Sequence, residues 1–171
     1  LPTSCCLFVI PNKRRGTRVS LAEIISCSDN ELACPKSVLM TPRLQIIELP
    51  NFGDTRGMSF TVPAEALAFV GRMADIHLAS TKPGATRGNH YHLRRREAII
   101  VMTGSKWSLH WDEGNNSPAE HREFGGKMAV LVLVSPGQSH AVRNDGGREL
   151  WLVAISSETY DPAESVSRKV I

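Results

Sequence analysis

The stretch RGNHYHLRRREAIIVMTG, residues 87–104, decides the reading of this chain. In an extended strand successive side chains alternate faces, so His90 and His92 point one way and Tyr91 the other. Two imidazoles on one face can share a ligand. LRRR, residues 93–96, reads as a turn, and Glu97 opens a run rich in β-branched residues. If that run is the antiparallel neighbour of the histidine strand, its carboxylate lies beside the pair. A third imidazole comes from His140, which follows the turn SPGQS and begins another strand. Three neutral imidazoles and a carboxylate on a rigid wall suit Zn, Fe, Mn, Co or Ni and leave positions open for water or substrate. H-x-H alone is ordinarily polar surface. The flanking glycines, Glu97 and the downstream P-G-x-x-H-x3-N give it weight, and in a metal-free pocket the same histidines would serve as acids and bases.

Working outward, the chain from Leu44 breaks into short segments rich in β-branched residues and punctuated by Gly, Pro, Asn and Asp. Strands are expected at 43–49, 72–80, 88–92, 97–103, 106–112, 128–134, 139–144 and 150–156. Only PAEALAFV, residues 63–70, has helical spacing behind a proline. The fold class is therefore all-β, an antiparallel jelly-roll β-barrel with at most one or two short helices. Residues 43–162 form this domain. Residues 1–42 form an N-terminal extension of different texture, and residues 163–171 a C-terminal tail.

The net charge of +3 is far below that of a dedicated nucleic-acid binder, so no nucleic-acid partner is expected. No apolar run approaches the roughly eighteen residues that a membrane span needs, and CCLFVI is followed by its basic cluster, the reverse of a signal peptide. Cys5, Cys6, Cys27 and Cys34 show no C-x-x-C spacing, which fits unpaired thiols in a reducing cytoplasm; a Cys27–Cys34 disulfide is the alternative.

From Gly84 the chain reads G-x5-H-x-H-x4-E-x6-G, ending at Gly104, and thereby resembles the first cupin motif at every specified position. Pro136, Gly137, His140 and Asn144 match the second motif, with Ser135 where its first proline usually stands. The resemblance implies that His90, His92, Glu97 and His140 are the ligands of a divalent metal ion. TKPGATRGNHYH (81–92), GDTRG (53–57) and ETYDP (158–162) narrow the likeness. They look like the cupin domain of bacterial nucleotide-sugar epimerases and isomerases of capsule and O-antigen synthesis.

That resemblance implies proton abstraction beside the carbonyl of a 4-keto nucleotide sugar, with His90 or His92 as candidate catalytic base. It also exposes a conflict: a histidine that coordinates metal has no lone pair left for a proton. In the metal-free epimerases the acid is a tyrosine, and this chain has only Tyr91 and Tyr160. Arg87, just before the histidine strand, is a candidate for the substrate diphosphate, the alternative being a solvated turn arginine. Arg94, Arg95 and Arg96 lie in a tight turn, where charges ordinarily face water. Trp107, Leu109 and Trp111 form one apolar strand face; Trp107 is a candidate floor for a sugar ring, against the commoner core role. His110 and His121 are read as ordinary, whereas His77 lies on a strand able to face the interior. A homodimer is expected by resemblance. The competing functions are an Fe(II)-dependent dioxygenase of a small organic substrate and a non-catalytic cupin that binds a sugar or other small ligand.

Overall fold

The computed structural model describes residues 43–115, 117–126 and 128–171. The expectations for residues 1–42, including all four cysteines, lie outside the described residues.

Ten strands make two antiparallel sheets. The first has the order β1 (Gln45–Leu49), β7 (Met128–Val134), β4 (Glu97–Thr103), β9 (Leu150–Ser156), β2 (Asp75–Thr81). The second has the order β10 (Ser165–Ser167), β3 (Thr86–His92), β8 (His140–Arg143), β5 (Trp107–Trp111), β6 (Glu120–Phe124). Their inner faces share one core, in which Ile99, Val101, Val130 and Val132 of the first sheet meet Trp107, Leu109, Phe124 and Val142 of the second. The jelly-roll expectation therefore holds, with one correction. Among the described residues no ladder joins the two sheets, so the sandwich is not a closed barrel.

The central strands β4 and β7 are apolar on both faces because both faces are covered. On the outer face, helix α1 (Ala64–Val70) lays Ala66 and Val70 over Ala98, Ile100, Leu131 and Leu133. Pro63 immediately precedes its first residue, and Gly71, with φ 76°, ends it by donating its amide to the Leu67 carbonyl. Ile76, Leu78, Met102 and Trp151, on the part of that face nearest β2, are exposed.

Two strands were not anticipated. β6, EHREF, is mostly charged because it is an edge strand that buries little beyond Phe124. β10 is three residues long and exists through its pairing with β3, Ser165 opposite His92 and Ser167 opposite His90. It follows a single 3₁₀ turn, Pro162–Glu164, which Asp161 caps by accepting from the Ala163 amide.

The largest correction concerns the turn at 93–96. β3 and β4 are not antiparallel neighbours: they belong to different sheets, and β4 pairs with β7 and β9. The chain switches sheets at LRRR, so Glu97 faces the histidines across the sandwich. No helix among the described residues is long and apolar enough to cross a membrane.

Candidate metal and substrate site

His90 and His92 stand on the inner face of β3, and β8 sets His140 directly opposite His90 in the ladder. A bulge at Gly88–His90 adjusts the register: Gly88 has φ 101° and Asn89 φ 59°, and a Cβ on Gly88 would lie 2.4 Å from the His140 carbonyl oxygen. Only glycine allows that approach. The imidazoles of His90, His92 and His140 each offer a nitrogen, all within 4.8 Å of one another. From the other sheet, Glu97 Oε2 lies 3.2 Å from His92 Nε2 and 3.6 Å from His140 Nε2. The four residues grouped as ligands from the sequence thus converge.

Glu97 is held from behind. Its Oε1 accepts from Ser156 Oγ at 3.1 Å and from Arg95 Nη1 at 3.4 Å. Burial pushes its carboxyl up, but the hydrogen bond from His92 and the charges of His140, His92 and Arg95 outweigh that and hold it down to about 2. Burial, assisted by His140 and His92, pushes His90 down to about 4, and burial also lowers His140. At neutral pH these groups present imidazole lone pairs beside a carboxylate. Metal ligands must be in those states, so the donor set fits a divalent ion.

The site opens into a cavity of about 520 Å³, a volume within the usual range for small-molecule sites. Ile99, Val142 and Leu152 give it an apolar wall continuous with the core. Arg87 lines it, with Nε donating to the Ser80 carbonyl. Trp107 does not line it. That ring is 1% exposed and stacks on Phe124 with centroids 4.2 Å apart, so its role is packing and the sugar-floor assignment is corrected.

Four further residues of the site escaped or nearly escaped sequence reasoning. Arg95, a turn charge expected to face water, is instead 6% exposed, lines the cavity and donates to the Thr159 carbonyl at 2.9 Å. The charge of Glu97 draws it inward. His77 lines the cavity, as its strand position allowed, and so does Tyr160, which is 75% exposed. Glu164 is buried behind His92, with Oε2 3.5 Å from Nδ1. Tyr91 faces away from the cluster and lines a separate pocket with Arg168. His110 and His121 stack on each other across β5 and β6.

Comparison with known proteins follows the same lines. No curated protein matches the chain by sequence. Among solved structures, a 3'-monoepimerase of Streptomyces bikiniensis, ChmJ, crystallised with dTDP-quinovose, is similar over 72% of this chain and 68% of its own, at 22% identity and TM-score 0.60. A 3,4-ketoisomerase of Helicobacter canadensis is similar over 72% of this chain and 90% of its own, at 17% identity and TM-score 0.55. The capsular polysaccharide assembling protein CapF of Staphylococcus aureus aligns over 71% of this chain at 22% identity and TM-score 0.50. The chain spans only 34% of that protein's length. These likenesses show the fold alone. The model of the polysaccharide biosynthesis C-terminal domain family matches residues 53–166, which include every residue of the histidine cluster and its carboxylates. With the match running from the Gly53–Gly57 turn to β10, the chain belongs to the polysaccharide biosynthesis C-terminal domain family.

Proposed function

We propose that this domain moves a proton at the carbon beside the carbonyl of a 4-keto nucleotide sugar, epimerising or isomerising it, with a divalent metal ion held by His90, His92, Glu97 and His140. The observation that carries this reading is the convergence of three imidazoles and one carboxylate in a cavity large enough for a sugar. The family match to polysaccharide biosynthesis, and the shared fold of an epimerase that binds dTDP-quinovose, support it.

Removing a carbon-bound proton needs a base within hydrogen-bond reach and a group that stabilises the oxygen on which charge collects. A bound divalent ion supplies Lewis-acid polarisation of that oxygen. The chain's own residues do the rest. Ile99, Val142 and Leu152 keep one wall dry, and Arg87 offers a fork to a diphosphate. With three imidazoles committed as ligands, the acid–base work falls to His77 or Tyr160, the remaining imidazole and phenol on the cavity wall. In a metal-free site the lone pair of His90 or His92 would take the proton instead.

The test is solvent deuterium incorporation, under argon, into a TDP-linked 4-keto-6-deoxy sugar, read by mass spectrometry. Exchange that disappears in His140→Ala is the expected result. The same donor set suits Fe(II), which makes an oxygen-consuming reaction of a small organic substrate the second reading. Oxygen uptake on adding Fe(II), without deuterium exchange, would replace the first reading with the second. Neither activity, with retained sugar binding, would leave a binding module.

A further inference from the structure

Glu164 stands behind the histidine cluster without lining the cavity. It ends the 3₁₀ turn that precedes β10, and its carboxylate is 2% exposed. Oε1 accepts from the Arg94 and Arg95 amides and lies 3.6 Å from Arg94 Nε. These donors suit an ionised carboxylate, which only accepts. Oε2 is buried without a hydrogen-bond partner, and so is Nδ1 of His92; the two atoms lie 3.5 Å apart.

His92 therefore has a carboxylate at each ring nitrogen, Glu164 at Nδ1 and Glu97 at Nε2. A neutral imidazole has one N–H and can donate to one of them only. If the proton sits on Nε2, the Nδ1 lone pair faces an anion in a buried space with no other partner. If it sits on Nδ1, both buried orphans are satisfied, and the Nε2 lone pair faces the centre on which Glu97 and His140 converge. A divalent ion held by these residues would remove the repulsion that remains between that lone pair and Glu97.

We propose that Glu164 is the positioning residue of this site: it takes the Nδ1 proton of His92, locks that tautomer and leaves Nε2 as the ligand atom. Carboxylate–imidazole pairs of this kind orient ligands from outside the coordination sphere. Glu164 also tethers the Arg94–Arg95 backbone, and Arg95 in turn braces Glu97, so one side chain steadies two ligands. What Nε2 is left free to do rests on the metal reading above. In the metal-free protein the pairing of Nδ1 with Glu164 competes with donation from Nε2 to Glu97 Oε2, 3.2 Å away.

Glu164→Gln separates this role from a merely structural one. The two backbone amides must still meet an oxygen, so the amide NH2 turns toward His92 and makes Nδ1 an acceptor. The ring proton then moves to Nε2. Long-range 1H–15N correlation of the histidine rings, on zinc-loaded and metal-free protein, reads the tautomer directly. The expected result is a protonated Nδ1 in the wild type and an unprotonated one in Glu164→Gln. Zinc affinity, by chelator competition, is expected to fall on the order of 10- to 100-fold. An unprotonated Nδ1 in the wild type, or an unchanged tautomer in the variant, overturns the proposal. Should the variant fail to fold, the wild-type spectrum decides. Should the wild type take up no zinc, the metal reading fails, and the metal-free spectra still decide the role of Glu164.

Discussion

The backbone of Gly88 lies against the carbonyl of His140, so close that a Cβ there would come within 2.4 Å of the oxygen. This contact lets β3 bulge and still present His90 opposite His140. Gly88→Ala meets both a left-handed φ of 101° and a backbone overlap. We expect a loss of at least ~2 kcal/mol, measured by urea denaturation, together with weaker metal binding because His90 moves. An unchanged midpoint would show that the bulge rearranges at no cost.

Metal content tests the cluster as a unit. Elemental mass spectrometry of protein purified without affinity tag or chelator is expected to give near one equivalent of divalent metal, lost in His92→Ala. Folded His90→Ala or His140→Ala protein with full stoichiometry would mean that the ion lies elsewhere.

The histidines also predict an acid-labile apo protein. His90, held down to about 4 chiefly by burial, and His140, lowered by burial, resist protons that the unfolded chain would bind from about 6.5 downward. More protons on the unfolded state mean falling stability with falling pH. Glu97, held down to about 2, adds a further loss mostly below this window, as pH falls from its ordinary value of 4.5 toward 2. Denaturation midpoints in chelator should decline between about pH 6.5 and 4, and the decline should flatten in His90→Gln. A midpoint that stays level across that range would contradict these shifts.

Trp107 belongs to packing and not to substrate. Trp107→Ala is expected to lower stability by roughly 3–5 kcal/mol, read by calorimetry. In the fraction that remains folded, sugar affinity should be unaltered. A loss of binding with stability intact would restore the ring to the cavity.

Arg87 is expected to hold the diphosphate. Arg87→Ala should raise the Kd for a nucleoside diphosphate sugar on the order of tenfold and leave the Kd for the free sugar alone. Equal losses for both ligands would place Arg87 on the sugar.

The convergence of His90, His92, Glu97 and His140 was legible because its signal is local. H-x-H fixes two imidazoles on one face by strand geometry alone, and Gly84, Gly104, Pro136 and Gly137 punctuate the strands that carry it. The partnership of β3 with β4 was not legible. Four residues separate the two strands, which serves a hairpin as well as a switch between sheets, and only tertiary packing chooses. Arg95 reads as a turn charge although the carboxylate it meets, Glu97, stands two residues on, because its inward course is fixed by tertiary contacts such as the Thr159 carbonyl. Glu164 reaches His92 through β10, a strand of three residues that has no pattern of its own.

His90, His92 and His140 hang from one leaf of the sandwich and Glu97 from the other. The distance between leaves is maintained by Val101, Val132, Leu109 and Val142, packed at the density of a crystal. The oily core is thus a spacer that calibrates the bite of the ligand set. If the cluster holds an ion as proposed, a methylene added or removed there, remote from any of the four residues, would register as a change in which ion it prefers.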